Sequence, residues 1–205
     1  MLKSSFAEFA ESVSIKIGIF FSRIPLSPNA WTLISVVPAL LGFWLLVEHK
    51  MPEAIALFAL SALMDAIDGG VARVTGRVTN LGAYLDGMAD RIVEALLLFG
   101  LFFYGVPDWL LPGYIWIALV LFFGTMMTSY ARAYADHRKA LVKEDVKRMP
   151  GILERAERLI LIFAGMVLGS IYAPIYLTYA LALAAALAII TVAQRVLFVA
   201  EASTS

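Results

Sequence analysis

From Leu159 to Gln194 the chain carries no charged side chain. A run of that length exceeds one membrane-spanning helix, which needs about 20 residues. Gly169 and Pro174 divide it into two predicted spans. Ser27 to Val47 and Trp109 to Ala131 are also uncharged, and each is long enough to cross a bilayer core as a helix. Two further stretches are apolar over one half only. Ala54 to Val74 carries Asp65, Asp68 and Arg73 late, and Leu81 to Tyr104 carries Asp86, Asp90, Arg91 and Glu94 early. The reading is an all-α integral membrane protein with six transmembrane helices. Composition agrees, with 61% hydrophobic and 16% charged residues in a chain of 205. A soluble domain averages roughly 25% charged.

Ahead of the first span, Phe6, Phe9, Val13, Ile17 and Phe20 recur three and four residues apart, while Glu8, Glu11 and Lys16 fall elsewhere on the wheel. This pattern predicts an amphipathic helix lying in the headgroup plane, broken by Pro25, Ser27 and Pro28. It does not read as a cleavable signal peptide. The expected organisation is an interfacial segment over 1–26, a six-helix domain over 27–200 and a tail over 201–205. No internal repeat, low-complexity tract or soluble domain is apparent. The absence of cysteine excludes disulfides and thiolate metal sites.

Basic residues predict the orientation. Lys3, Lys16 and Arg23 precede the first span, and Arg73 and Arg77 flank the turn between the second and third. Arg132, Arg138, Lys139, Lys143, Lys147, Arg148, Arg155 and Arg158 cluster between the fourth and fifth, whereas the opposite loops hold only Lys50. The positive-inside rule then places both termini, the 2–3 turn and the 4–5 loop in the cytoplasm.

Four carboxylates stand out in so apolar a chain. Asp65 and Asp68 are three apart on the second span, and Asp86 and Asp90 are four apart on the third. Each pair shares one helical face, and the short turn between the spans makes these helices antiparallel neighbours. Clustered carboxylates in low dielectric repel one another, and divalent cations with a preference for hard oxygen ligands relieve that repulsion. The glycines and alanines Gly69, Gly70, Ala72, Gly76, Gly82 and Ala83 would let a bulky ligand approach the backbone, and Arg73 offers a fixed positive charge to a phosphate. The combination points to a nucleotide pyrophosphate.

Asp65-x-x-Asp68-Gly69-x-x-Ala72-Arg73, then eight residues, then Gly82-x-x-x-Asp86-x-x-x-Asp90 resembles the signature of the CDP-alcohol phosphotransferases. The resemblance extends to the six-helix plan and to "SPNAWTLIS" at the start of the first span. It implies transfer of a phosphatidyl-type group from a CDP-linked lipid donor to an acceptor hydroxyl, with release of CMP. It also implies two Mg²⁺ ions per site, with Mn²⁺ as the other candidate. One ion would be held by Asp65, Asp68 and Asp86, the other by Asp65, Asp86 and Asp90, with Asp90 as the catalytic base. The CDP-lipid would be bound by Asn29, Thr32, Asp68, Gly69, Ala72, Arg73, Thr79 and Gly82. Asn29 reads equally as the cap of the first span, Arg73 also as a cytoplasmic flank residue, and Arg91 and Glu94 as either a structural ion pair or site members. A homodimer is implied as well, and no nucleic acid is expected.

The acceptor is read from other residues. "SYARAY" ends the fourth span, "GILERAERLI" opens the fifth and Gln194-Arg195 ends the sixth. These resemble the inositol-phosphate branch of the family, whose acceptor is inositol 1-phosphate and whose donor tails are diacylglycerol or archaeol. Arg132, Arg155 and Arg195 are the expected ligands of the acceptor phosphate. Tyr134 stands where that branch has an arginine. Arg158, four residues after Glu154, is read as its ion-pair partner. Glycerol 3-phosphate, serine or another inositol derivative would suit the same chemistry. A cation or proton carrier is the reading from a different class, because carboxylates inside membrane helices also mark ion pathways.

Overall fold

The computed structural model describes residues 15–202, and among these the regular structure is helical. Residues 15–21 form a short helix; Phe6, Phe9 and Val13 of the expected amphipathic stripe lie outside the described residues. Then come α1 (Pro28–Val47), α2 (Met51–Val74), α3 (Asn80–Tyr104), α4 (Gly113–His137), the single turn and a half of α5 (Lys143–Arg148), α6 (Arg155–Ile171) and α7 (Ile175–Ala202). The helices α1, α2, α4 and α7 are long and apolar enough to cross a membrane. The chain divides into two compact units, one up to Leu97 and one from Leu98.

In the first unit, α1 and α2 pack antiparallel along three rungs. The Phe58 ring fills the space over Gly42, where a Cβ would lie 2.9 Å from ring carbons. The Ser61 hydroxyl donates to the Ser35 carbonyl at 2.7 Å, and the Thr32 hydroxyl donates to the Asp68 carboxylate. Small residues permit the close approach, and hydroxyls bond across it, which is how helices associate where lipid removes the hydrophobic drive. Trp31, Ile67 and Val71 form a buried cluster with Ile17, Phe21 and Met64 against it. Ser27, not Asn29, caps α1: its side chain accepts the Ala30 N–H at 3.2 Å, and Pro28 follows at the first helical position.

In the second unit α4 begins later and ends later than predicted. Asp108 accepts the Gly113 N–H at 2.8 Å and starts the helix, which continues through Arg132 to His137. Its middle, Val120–Met127, is wound as a π-helix, with the Thr128 N–H donating to the Phe123 carbonyl. The break in the long uncharged run falls between Ile171 and Ile175. Pro174 lies there, but Gly169 does not break the helix. It lies inside α6, where a Cβ would meet Leu177 at 3.4 Å. One turn earlier, a Cβ on Gly165 would fall 2.4 Å from the Ala180 Cβ. The α6–α7 contact is therefore a close seam of two glycines against Ala180 and Leu177.

That seam leads to a stability prediction. Gly165→Ala forces a methyl into a filled space, with an expected cost of about 1–3 kcal/mol. Its thermal unfolding midpoint in detergent should fall clearly, whereas Ala164→Val on the exposed face should leave the midpoint nearly unchanged.

Candidate active site

The first turn of α1, the second half of α2 and the start of α3 converge on a cleft of about 180 Å³. Its walls include Asn29, Thr32, Asp68, Gly69, Ala72, Arg73, Thr79, Gly82 and Asp86. Every residue expected to bind the CDP-lipid thus lies on one concave surface. Pro28, Arg77, Val78 and Ala83 complete it. Arg77 reads from sequence only as a flanking charge. The signal that separates it from other flanking charges is the glycine before it.

Local structure explains these placements. Asp65 and Asp68 lie three apart on α2 and so share a face. The turn after Val74 reverses the chain and returns Asp86 to them on α3. Thr79 caps α3, its hydroxyl accepting the Gly82 N–H at 3.0 Å. A Cβ on Gly82 would sit 3.1 Å from both the Asn29 Oδ1 and the Thr79 hydroxyl, so the glycine lets α1 and α3 share the wall. At Gly69 a Cβ would make only ordinary contact, 3.6 Å from an Arg73 guanidinium nitrogen. There the missing side chain opens the floor of the cleft.

Oxygens of Asp65, Asp68 and Asp86 all lie within 4.8 Å of one another. Asp68 is 5% exposed, and the Thr32 hydroxyl bonded to it lies 3.2 Å from the Pro28 carbonyl oxygen. Three converging carboxylates, one of them buried, form an all-oxygen donor set suited to a hard divalent ion. Asp90 stands apart from this trio. Its carboxylate accepts from the Arg91 guanidinium at 3.3 Å, and Arg91 also donates to the Gly87 carbonyl at 3.2 Å. Arg91 thus pairs with Asp90, and Glu94 one turn further on is 1% exposed.

The second unit holds the arginines. Arg195, 4% exposed on α7, donates from Nε to the Pro150 carbonyl at 3.1 Å and from Nη1 to the Thr128 carbonyl on α4. Arg132 lies within electrostatic reach of Arg195, as do Glu154 and Arg158. Arg132 is half exposed and pairs with Glu154 at 3.6 Å. Glu154 also caps α6 in a reciprocal box with Glu157, and Arg155 opens that helix. Glu154, expected to pair with Arg158, thus also engages Arg132 and the α6 N-terminus. Arg158 is 3% exposed, against the π-helical part of α4, where a Cβ on Gly124 would strike its Cδ at 2.9 Å. Tyr134 is exposed and stacked on Tyr130 with ring centroids 5.1 Å apart.

Comparison with known proteins agrees with this geometry. Residues 25–199 match the CDP-alcohol phosphatidyltransferase family. The archaetidylinositol phosphate synthase of Aeropyrum pernix is 40% identical over 189 residues, covering 90% of this chain and 88% of that protein. The phosphatidylinositol phosphate synthase of Corynebacterium glutamicum is 31% identical over 180 residues, covering 84% and 77%. Among solved structures, the phosphatidylinositol phosphate synthase of Mycobacterium tuberculosis with CDP-DAG bound superposes with a TM-score of 0.76 at 25% identity, covering 92% of this chain and 94% of that one. The same enzyme in complex with manganese and citrate also gives 0.76, at 25% identity and with 91% and 88% covered. A match that takes in the whole aspartate cleft and nearly the whole chain makes this protein a member of the CDP-alcohol phosphatidyltransferase family of enzymes.

Proposed function

We propose that this enzyme joins the phosphatidyl-type group of a CDP-linked lipid, diacylglycerol or archaeol in its tails, to a hydroxyl of myo-inositol 1-phosphate, releasing CMP. The observation that carries the reading is the trio Asp65, Asp68 and Asp86 in a cleft that also offers Arg73 and small-residue walls. The inositol-phosphate synthases among its relatives support the acceptor, and the Aeropyrum pernix relative favours archaeol.

In the proposed reaction the acceptor hydroxyl oxygen attacks the lipid-side phosphorus. A new P–O bond forms, the bond to the CMP oxygen breaks, and the hydroxyl proton passes to Asp90. Arg91 compensates the charge of Asp90 and orients it. Arg73 holds the donor phosphates, and Asn29, Thr32 and Thr79 contact the nucleotide. Mg²⁺ ions held by the aspartates, Mn²⁺ being the substitute, supply charge neutralisation for the pyrophosphate and for the departing CMP. Arg132, Arg155 and Arg195 take the acceptor phosphate.

The proposal includes six membrane spans. At 25 residues α3 is about 37 Å long, and its charges fall in its first half. At 17 residues α6 sits at the lower limit of about 17 for a span. Both termini and the active site face the cytoplasm on the basic side of the chain, and the enzyme works as a homodimer, as the resemblance implies.

CMP release by the purified protein tests the reaction. It should require a divalent ion and inositol 1-phosphate and should stop with chelator. Release with glycerol 3-phosphate or serine but not inositol 1-phosphate would leave the aspartate chemistry and sink the acceptor assignment. Ion flux without CDP-lipid would replace the enzyme by a carrier.

Two variants separate the roles. Asp90→Asn should lower turnover by about 10²-fold or more while donor binding persists, the range for loss of a general base. Full turnover would remove Asp90 from that role. Arg132→Gln should raise the KM for inositol 1-phosphate about tenfold and leave the donor KM unchanged, because charge-assisted hydrogen bonds contribute about 1.5–3 kcal/mol. Equal shifts in both constants would return Arg132 to a structural part.

A further inference from the structure

Arg77 lines the donor cleft, and the reaction proposed above does not use it. We infer that Arg77 is a second cationic ligand of the donor's pyrophosphate, aimed at the cleft by a left-handed turn at Gly76. The inference rests on the reading that a CDP-lipid occupies this cleft.

The turn is built for placement. Gly76 has φ +66°, and its N–H lies 3.4 Å from the Arg73 carbonyl, while the Arg77 N–H donates to the Ala72 carbonyl at 3.0 Å. These are the two reversed bonds that end a helix by way of a left-handed glycine. A Cβ on Gly76 would meet nothing within 4 Å, so the glycine serves backbone conformation and not packing. Its effect is to fold Arg77 back over the last turn of α2, beside Arg73, instead of letting the chain run on.

The charge of Arg77 is available there. The guanidinium is exposed and engages no carboxylate among the described residues, whereas Arg91 and Arg132 are paired. Arg77 and Pro28 also border a second groove of about 430 Å³, which runs past Ser22 and Leu26. Arg77 therefore stands at the wall the two concavities share. Each donor phosphate brings negative charge among three carboxylates, and a second cation at that wall lowers the repulsion. Arginine suits the role because its planar fork matches phosphate oxygens. The bland assignment is a membrane-flank charge that attracts anionic headgroups, but such a charge needs neither a concave wall nor a left-handed residue to aim it.

The test is equilibrium binding of CDP and of cytidine to the full chain in neutral detergent, with Mn²⁺ present. Arg77→Ala should weaken CDP about tenfold and leave cytidine unchanged, with Arg77→Lys in between. Gly76→Ala should weaken CDP in the same direction, and Gly76→Asn should recover most of the loss, because asparagine tolerates the left-handed conformation. Adding Gly76→Ala to Arg77→Ala should cause no further loss, which a general defect of folding would. Equal CDP affinity in the wild type and Arg77→Ala overturns the inference. So does a loss that appears only when anionic lipid is added, which would assign Arg77 to the membrane surface. A wild type that binds no CDP overturns the donor reading itself and the inference with it.

Discussion

Negative charge held among apolar helices is the constraint on which the first unit depends. Oxygens of Asp65, Asp68 and Asp86 approach within 4.8 Å, and the repulsion within such a group falls where neighbours orient it and a cation or a proton neutralises it. Thr32 does part of the orienting through its bond to Asp68. That bond is also a rung of the α1–α2 contact, in line with Ser61–Ser35 and Phe58–Gly42. The packing that joins the two helices and the geometry that holds a candidate metal ligand are therefore one feature. A change at Thr32 acts on both, and a change at Gly42 acts on packing alone.

The second unit answers a similar problem with the opposite sign. Arg158 and Arg195 are both nearly inaccessible, and Arg132 lies within electrostatic reach of Arg195. The π-helical winding of α4 presents Gly124 to Arg158, and the Thr128 carbonyl just beyond it accepts from Arg195. Arg195 also bonds the Pro150 carbonyl and so ties α7 to α4 and to the loop before α6. The two carbonyls fix the guanidinium in place, and Glu154 lies within electrostatic reach of it as well.

Residues set by local spacing were legible before any coordinates. The aspartates announce themselves by three- and four-residue intervals, and most helix boundaries by charge and proline, although α4 runs on through Arg132 to His137. Features that need a partner from another helix were not. Asn29 read equally as a cap and as a nucleotide contact, and only the structure shows Ser27 taking the cap and Asn29 standing in the cleft wall. Gly169 looked like a breaker because glycine weakens helices, yet α7 lies so close that the position is a packing seam. Arg158 looked like a surface residue, but it is buried against the π-turn at Gly124, while Glu154 also engages Arg132 and its cap. The π-turn itself has no sequence period to reveal it. It is known only from where the carbonyls go.

The division of labour bears on how acceptor choice can change. Every signature position lies between Asp65 and Asp90, and the donor cleft draws on the first unit alone. On the proposed reading, acceptor recognition belongs to the second unit, where the ligands are not equally replaceable. Arg195 is buried and bonded to two backbone carbonyls from different segments, so its loss leaves buried acceptors unpaired whatever substrate is present. Arg132 and Tyr134 lie on the accessible turns of α4, where substitution disturbs little packing. A tyrosine in place of an arginine at 134 is the kind of change that the fold tolerates there. Divergence in acceptor should therefore accumulate on the exposed end of α4, while Arg195 stays because the unit needs it for its own structure.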